Sequence, residues 1–355
     1  MITELFDLNQ KILKTLDLME EIDEIDVEPS EKELVYQIDK CKLYHYKPIK
    51  RNICKIPLLI VYALVNKYYM MDLQEDRSFI KKLLEHGIDV YLIDWGYPDR
   101  ADRYLTLEDY IDGYINSCVD FIREKHKLEK INLLGVCQGG TFSVIYSALY
   151  PEKIKNLVTM VTPIDFHTDD GLLNIWSRYM DPDLMVEAFG NISGDFMNFG
   201  YMMLKPFQLN VEKYYNFIKN SKSLEDVKNF IRMEKWIFDS PDQAGEAWRR
   251  FIKDLYQENK LVKGEFELGG RKVDLKNIKM PILTIYAEQD HLVPPSSTKP
   301  LNDLVGSEDK TMISFKGGHI GIYVSSRSQK DLAPTVAKWL LERSKKIDKK
   351  GGDKK

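Results

Sequence analysis

The hydrophobic pattern of the chain alternates between short apolar runs and segments of helical periodicity. The apolar, β-branched runs are "PLLIVYALV", "DVYLIDW", "INLLGVC" and "NLVTMVTP". Apolar residues with helical spacing separate these runs over residues 76–86, 106–126 and 140–150. Because continuous apolar runs indicate strands buried on both faces, the pattern predicts a mostly parallel sheet with helices on both sides.

This alternation stops near Pro163. Residues 165–262 are rich in Met, Trp, Phe and Asn, with helix-like stretches and no strong strand signal. Strand signals resume with "EFELGGRKVDL", "MPILTIYAEQD" and "KTMISFKGGH", and a closing helix is predicted over residues 329–343. The pattern predicts an α/β core formed by residues 41–164 and 263–344, with a helical cap or lid inserted over residues 165–262.

Both ends of the chain lie outside this core. Residues 1–40 mix apolar and acidic positions, which predicts an amphipathic helical arm, and they contain no signal-peptide core. The stretch "KLYHYKP", residues 42–48, alternates polar and aromatic positions and indicates an edge strand. Residues 345–355 form a lysine-rich tail, which we expect to be flexible and solvated.

Composition excludes several classes of protein. The chain has 355 residues, of which 44% are hydrophobic and 30% charged, so it is globular. A net charge of −4 gives no electrostatic reason to expect a nucleic-acid partner. The most apolar run, residues 56–65, is too short to span a bilayer as a helix. Four cysteines without paired spacing predict neither a metal site nor a disulfide framework, so we expect a cytoplasmic protein.

One motif carries candidate chemistry. The stretch "NLLGVCQGGT", residues 132–141, places Cys137 where the nucleophile-elbow motif G-x-S-x-G has a serine. A β-rich run precedes the motif and a predicted helix follows it, which is the strand–turn–helix context that the motif requires. Gly135 and Gly139 permit a tight turn, and the helix N-terminus would stabilise a thiolate. Without the flanking strand and helix, a buried structural cysteine would be at least as good an interpretation.

Two further residues complete a predicted catalytic triad. Asp290 ends the strand-like run "ILTIYAEQD" and should lie on a loop at the carboxyl end of that strand, and His319 in "FKGGHIG" again comes just after a strand. The order nucleophile, acid, histidine is that of α/β-hydrolases. His319 can accept the thiol proton, and Asp290 can hold the imidazole in the required tautomer. Taken singly, Asp290 could be a turn residue and His319 a loop-capping residue.

An oxyanion hole is predicted beside this triad. One donor is the backbone amide of Gln138, the residue after the nucleophile. The second comes from the loop after "PLLIVYALV", where Val65 is the candidate and Asn66 the alternative. His291 adjoins Asp290, and its role is either to shape the site or to pack against it.

A thiol nucleophile suits acyl transfer from a thioester. Attack by Cys137 exchanges one thioester for another with little change in free energy, so the acyl group stays activated. A hydroxyl can then attack, and formation of the oxygen ester is favourable. Because water is also an oxygen nucleophile, hydrolysis remains possible unless a closed apolar site excludes water. The Met- and aromatic-rich cap over residues 165–262 could provide that site.

Several motifs together resemble the polyhydroxyalkanoate synthases. They are "VYLIDWGYPD", "LLGVCQGGTFSVIYSALYP", "NLVTMVTPIDF", "RMEKWIFDSPDQAGEAWRRFIKDLYQ", "EQDHLVPP" and "GGHIGIYVS", and the resemblance runs from about residue 44 to residue 343. The length resembles the catalytic subunit of the class III type. This resemblance implies an α/β-hydrolase fold and an acyltransferase that polymerises (R)-3-hydroxyacyl units, chiefly from 3-hydroxybutyryl-coenzyme A, with release of coenzyme A and no other cofactor.

The resemblance also implies site residues and partners. Cys137 corresponds to the acyl-carrying nucleophile, His319 to its base, and Asp290 to an aspartate that helps to deprotonate the 3-hydroxyl group, directly or through His319. An E-type companion subunit, self-association to a dimer or larger, and attachment to polyester granules are implied as well. The similar class IV type has an R-type companion instead.

Two alternatives remain. A thiol hydrolase of the dienelactone-hydrolase kind also carries G-x-C-x-G, but such chains are much shorter and lack the large insertion. A non-catalytic granule scaffold would not need Cys137, Asp290 and His319 together.

Overall fold

The structure is a computed structural model that describes residues 2–51 and 53–345. A central β-sheet lies at its core. The strands of this sheet are β1 (Lys32–Ile38), β2 (Cys41–Tyr46), β3 (Leu58–Val61), β4 (Val90–Asp94), β5 (Ile131–Val136), β6 (Ile154–Met160), β7 (Ile282–Ala287) and β8 (Lys310–Phe315). Their spatial order is β1-β2-β4-β3-β5-β6-β7-β8. The pairs β1–β2 and β2–β4 are antiparallel, and all other neighbouring pairs are parallel. The predicted mostly parallel sheet is confirmed.

Helices fill most of the segments outside the sheet. In chain order they are α1 (Ile2–Glu20), α2 (Phe79–Glu85), α3 (Asn116–His126), α4 (Gln138–Leu149), α5 (Leu172–Arg178), α6 (Pro182–Phe189), α7 (Gly194–Met203), α8 (Lys213–Asn220), α9 (Leu224–Phe238), α10 (Gly245–Arg250), α11 (Lys260–Lys263), α12 (Pro295–Thr298), α13 (Leu301–Leu304), α14 (Gly321–Val324) and α15 (Ala333–Arg343). Two predicted helices, over residues 106–126 and 329–343, begin instead with a π-helical turn before α3 and before α15.

Apolar layers cover both faces of the sheet. In β3, Leu59 and Val61 belong to the hydrophobic cluster that contains α3 and α4, whereas Leu58 and Ile60 belong to the cluster that contains α2 and α15. Successive side chains of a strand point to opposite faces. Both faces of β3 therefore pack against apolar side chains. This explains why its sequence is a continuous apolar run rather than an alternation of apolar and polar residues.

The N-terminal region differs from the prediction. The helical arm predicted for residues 1–40 is wrong beyond α1, because residues 32–38 form β1. β1 and β2 are a hairpin whose turn residue Asp39 has a positive φ of 51°. The stretch 42–48, predicted as the edge strand, lies second from the edge, since β1 covers it. The acidic residues of this region hid the strand because charges are tolerated along an exposed edge.

The segment between β6 and β7 contains α5 to α11, as the interrupted hydrophobic pattern predicts. The later run "EFELGGRKVDL" forms a separate two-stranded hairpin, 267–268 with 271–272, rather than a strand of the main sheet. Gly269 and Gly270 both have positive φ and make its turn. The boundaries of the core and the cap stay predictions. Of the predicted basic tail, residues 346–355 lie outside the described residues.

Candidate active site

Cys137 lies on a strained turn between β5 and α4. Its backbone has φ 53° and ψ −123°, a conformation that residues other than glycine rarely adopt. The Cys137 amide donates to the carbonyl of Met160 at the end of β6, at 2.9 Å, which holds the turn against the sheet. The side chain is partly exposed. The strand, turn and helix therefore present a thiol at the carboxyl edge of the sheet.

Two glycines let the first turn of α4 approach the neighbouring strands. A Cβ atom on Gly139 would lie 2.4 Å from the carbonyl oxygens of both Val61 and Tyr62. A Cβ atom on Gly140 would lie 1.9 Å from Oγ1 of Thr162. Neither distance is compatible with a side chain. Glycine is required at position 139 because backbone carbonyls are close and at position 140 because the side chain of Thr162 is close. The close approach of Gly139 brings the elbow against the end of β3.

Asp290 and His319 meet at the same edge of the sheet. Asp290 follows β7 and His319 follows β8, and Nδ1 of His319 lies 2.7 Å from Oδ2 of Asp290. The other carboxylate oxygen of Asp290 accepts from the amides of Leu292 and Val293, both at 2.9 Å. Both side chains are buried. The carboxylate is thus held in one orientation by its own loop and holds the imidazole in turn.

The charge of His319 is set by its two partners. Burial alone would lower the pKa of His319, but the charges of Asp290 and Cys137, with hydrogen bonds to both groups, outweigh burial and raise this pKa to about 10. Because Asp290 occupies Nδ1, Nε2 is the nitrogen that remains for the sulfur. The structure therefore brings Cys137, His319 and Asp290 together in that order. Their catalytic roles stay predictions.

The loop after β3, residues 62–67, lies beside the elbow and is called the oxyanion loop below. Oε1 of Gln138 accepts from the amide of Leu64 at 3.1 Å, which ties this loop to α4. The Gln138 amide is in the first turn of α4 and has no helical partner there. The next loop amide, that of Val65, has no acceptor among the residues that the structure describes. Both predicted donors are thus placed near the elbow, and their role stays a prediction.

The alternative donor, Asn66, has a different environment. It has a positive φ of 57°, and its side-chain amide donates to the carbonyls of Trp236 and Ile237 in the cap. This side chain therefore contacts α9 rather than the elbow.

Four tyrosines line the thiol, and sequence reasoning, which predicted only that an aromatic-rich cap could close the site, did not identify them. Burial raises the pKa of each of four tyrosines, and the nearby Cys137 sulfur adds to this effect; they are Tyr62, Tyr201, Tyr256 and Tyr323. The ring of Tyr323 lies edge-on to His319, with 6.3 Å between the ring centroids. The four residues come from separate parts of the core and the cap, so no local periodicity could reveal them.

His291 lies near the site without joining the triad. Burial lowers the pKa of His291, and the positive charge of Lys205 lowers it further, which favours a neutral imidazole. Among the described residues, no group of three or more His, Cys, Asp or Glu side chains could hold a metal ion. Within the same residues, no helix has both the length and the apolar character needed to cross a bilayer.

Comparison with known proteins identifies the family. Residues 56–326 match the family described as alpha/beta hydrolase fold, and residues 23–83 match the N-terminus of poly-beta-hydroxybutyrate polymerase (PhaC). The chain is 54% identical over 342 residues to the poly(3-hydroxyalkanoate) polymerase subunit PhaC of Allochromatium vinosum, covering 96% of both chains. The chain belongs to the poly(3-hydroxyalkanoate) polymerase family. It is therefore an acyltransferase, and the resemblance seen in its motifs is confirmed.

Other relatives agree with this assignment. The polymerase subunit PhaC of a Synechocystis species is 53% identical, with 96% of this chain and 92% of that protein covered. Two solved structures share the fold at low identity. They are the monoacylglycerol lipase of Paleococcus ferrophilus, at 16% identity and TM-score 0.50 over 82% of this chain and 96% of that one, and a metagenome-derived lipolytic enzyme, at 14% identity and TM-score 0.51 over 84% of this chain and 97% of that one. The predicted α/β-hydrolase fold is confirmed.

Proposed function

We propose that this polymerase joins (R)-3-hydroxyacyl units, chiefly 3-hydroxybutyryl units, from coenzyme A thioesters into polyester through an acyl group on Cys137. The proposal rests on two contacts of His319. The imidazole forms a hydrogen bond with Cys137, and its Nδ1 atom lies 2.7 Å from Oδ2 of Asp290. This arrangement activates a thiol by an adjacent base that a third group orients.

In the first step, His319 accepts the proton of the Cys137 thiol. The thiolate attacks the thioester carbonyl, and the amides of Gln138 and Val65 donate to the oxyanion that forms. The carbon–sulfur bond to coenzyme A then breaks, and the imidazolium of His319 protonates the departing thiolate. The raised pKa of His319 supports this role, because it keeps the proton on the imidazole until the leaving group takes it.

In the second step, the 3-hydroxyl group of another unit attacks the carbonyl of acyl-Cys137. Its proton passes to His319, an oxygen ester forms, and the bond to Cys137 breaks as the sulfur recovers a proton from the imidazolium. Both oxygens of Asp290 are engaged, one by His319 and the other by two loop amides. This supports an Asp290 that acts through His319 rather than one that contacts the hydroxyl directly.

Water must be kept from the acyl-enzyme for polymer to form. The aromatic lining supports this exclusion, since Tyr62, Tyr256 and Tyr323 are all buried close to the sulfur. Tyr256 comes from the segment predicted as the cap, so that segment contributes directly to closing the site.

We extend the proposal to partners and location. We expect an E-type companion subunit, self-association to a dimer or larger, and a cytoplasmic location at the surface of polyester granules. Large apolar side chains exposed on the cap support contact with a partner or with polymer; they include Tyr179, Leu184, Phe189, Phe199 and Phe207.

The test supplies 3-hydroxybutyryl-coenzyme A to the chain, with and without a candidate companion, and measures thiol release and product size together. We expect coenzyme A and high-molecular-weight polyester, and loss of both in Cys137→Ala. Cys54→Ala is the matched control, because Cys54 is also partly exposed but its amide donates to the carbonyl of Gly87, which precedes β4, at the opposite edge of the sheet from the elbow. Coenzyme A with only free hydroxy acid would indicate a thiol hydrolase, and no release under either condition would indicate a scaffold.

A further inference from the structure

We propose that Asn66 is a positioning residue that joins the oxyanion loop to the end of α9, so that the Val65 amide is aimed at the oxyanion only while the cap is docked. This inference rests on the proposed function, because it assigns the Val65 amide as a donor. It concerns the coupling between the two parts of the protein, which no motif in the sequence specifies.

One end of the oxyanion loop is fixed to the nucleophile elbow. The Leu64 amide donates to the side chain of Gln138 at 3.1 Å, and the backbone around Gly139 lies against the carbonyl of Tyr62. These contacts lie within the core and do not involve the cap. They fix the loop up to Leu64, one residue before the candidate donor.

The other end of the loop is fixed to the cap. The side-chain amide of Asn66 donates to the carbonyls of Trp236 at 3.2 Å and Ile237 at 3.1 Å. These carbonyls belong to the last turn of α9, where no intrahelical donor is available. In return, Nε1 of Trp236 donates to the carbonyl of Lys67 at 2.7 Å. The loop and the helix end therefore satisfy each other's backbone groups.

Further contacts of the helix end make this junction a specific docking site. The carboxylate of Asp239, just after α9, accepts from the hydroxyl of Tyr69 at 3.0 Å and from that of Tyr97 at 2.6 Å. Lys67 pairs with Asp94 at 2.5 Å and lies over the ring of Tyr97. The end of α9 thus contacts the loops that follow two neighbouring strands, β3 and β4.

The backbone of Asn66 shows why this residue type is needed. Its φ of 57° is in the left-handed region, which Asn tolerates better than most residues. With Leu64 held by α4 and Asn66 held by α9, the direction of the Val65 amide between them is determined by both anchors. If α9 moves away, the bonds of Asn66 and Trp236 break and only the anchor at Leu64 remains. Oxyanion stabilisation is then available only in the closed, water-excluding state.

The contribution of Asn66 can be measured because two reactions of the Cys137 thiol, acylation and alkylation, differ in whether they form an oxyanion. Acylation of Cys137 develops an oxyanion, and loss of one donor typically costs about 10²–10³-fold in rate. Alkylation of Cys137 by iodoacetamide displaces iodide and develops no oxyanion. We therefore compare the two rates in Asn66→Gly, which keeps the left-handed backbone and removes the side-chain amide.

We expect Asn66→Gly to slow the first-turnover release of coenzyme A by about 10–10³-fold, with the alkylation rate within about two-fold of the unsubstituted protein. The matched control is Asn198→Ala. The side chain of Asn198, in α7, donates to the same Ile237 carbonyl at 2.6 Å but does not contact the oxyanion loop. Its acylation rate should change little.

Three outcomes would overturn the proposal: unchanged acylation in Asn66→Gly, an equal loss of acylation and alkylation, or an equal slowing in Asn198→Ala. These outcomes are distinct from failure of the proposed function. That failure would appear in the unsubstituted protein, as an absence of acylation or as acylation that persists in Cys137→Ala.

Discussion

The imidazole of His319 lies between a carboxylate and a thiol, with its Nδ1 atom 2.7 Å from Oδ2 of Asp290. The carboxylate cannot turn towards a substrate without breaking this bond or those of its other oxygen to the amides of Leu292 and Val293. The geometry therefore favours an Asp290 that controls the basicity and orientation of His319. This view differs in its consequences from one in which Asp290 itself deprotonates the hydroxyl group.

The first prediction follows from this difference. Asp290→Asn should reduce acylation and elongation by similar factors, roughly 10²–10⁴-fold each, because both steps need His319 as acid and base. Rapid-mixing measurements of coenzyme A release in the first turnover and in later turnovers separate the two steps. A variant that acylates normally but does not elongate would instead assign Asp290 to direct activation of the hydroxyl.

The same variant should alter the titration of His319. The Asp290 charge raises the pKa of His319, so its removal should lower that pKa and make the imidazolium less stable near neutral pH. In Asp290→Asn, the imidazole NMR resonances of His319 should therefore titrate at a lower pH than in the unsubstituted protein. Their absence from the spectrum of His319→Gln identifies these resonances. An identical midpoint in both proteins would contradict the assigned contact.

Much of this site could be predicted from the sequence, because its chemistry is local. Strand ends of a parallel sheet share one edge, so Asp290 and His319 could be placed beside Cys137 from their positions after successive strands. The individual tyrosines of the aromatic lining could not be predicted, since Tyr62 and Tyr256 are distant in the chain and both come close to Cys137 only after the cap folds onto the core. The same reason hid the contact of Asn66 with α9, which joins residues 170 positions apart.

Stability should also depend on pH through His319. Its pKa in the folded protein is about 10, above its ordinary value of 6.5, so the protonated form is stabilised by folding. This contribution is complete below about pH 6.5 and is lost as the pH rises through 10. The difference in unfolding free energy between the unsubstituted protein and His319→Gln should therefore shrink from pH 6.5 to pH 10 in urea titrations. A constant or growing difference would contradict the charged state assigned here.

The elbow glycines give a prediction about stability. In Gly139→Ala, the new Cβ would lie 2.4 Å from two backbone carbonyls, which cannot move as a flexible side chain could. We expect a loss of about 1–3 kcal/mol in the free energy of unfolding, together with loss of acylation. Gly200→Ala is the control. Among the described residues, no heavy atom beyond the adjoining residues and the backbone of α7 itself lies within 4 Å of the added Cβ, so the substitution should stabilise the helix by about 0.5–1 kcal/mol. Equal effects of the two substitutions in urea unfolding would exclude the steric explanation.

The N-terminal region shows where the sequence pattern was insufficient. Residues 2–20 have the periodicity of the helix they form, but β1 depends on a hairpin with β2 that charged side chains disguise. The chain between them, residues 21–31, has no regular structure, and its position is fixed by tertiary contacts rather than by local preference. A pattern of residues along the chain does not encode such contacts.

The last prediction tests what holds this irregular segment. Arg232 in α9 is buried, and its guanidinium donates to the carboxylate of Asp26 at 2.7 Å and to the Asp26 carbonyl at 3.0 Å. Arg232→Ala should release residues 21–30 from α9 and cost about 1–3 kcal/mol, the usual effect of losing hydrogen bonds to a charged group. Hydrogen exchange should accelerate in that segment. Lys235→Ala is the control, because the exposed Lys235 ammonium donates one hydrogen bond to this segment, to the Ile25 carbonyl at 3.1 Å, and its loss should have a smaller effect. Unchanged exchange over residues 21–30 in Arg232→Ala would show that the segment is anchored by its bonds to Asp72 instead.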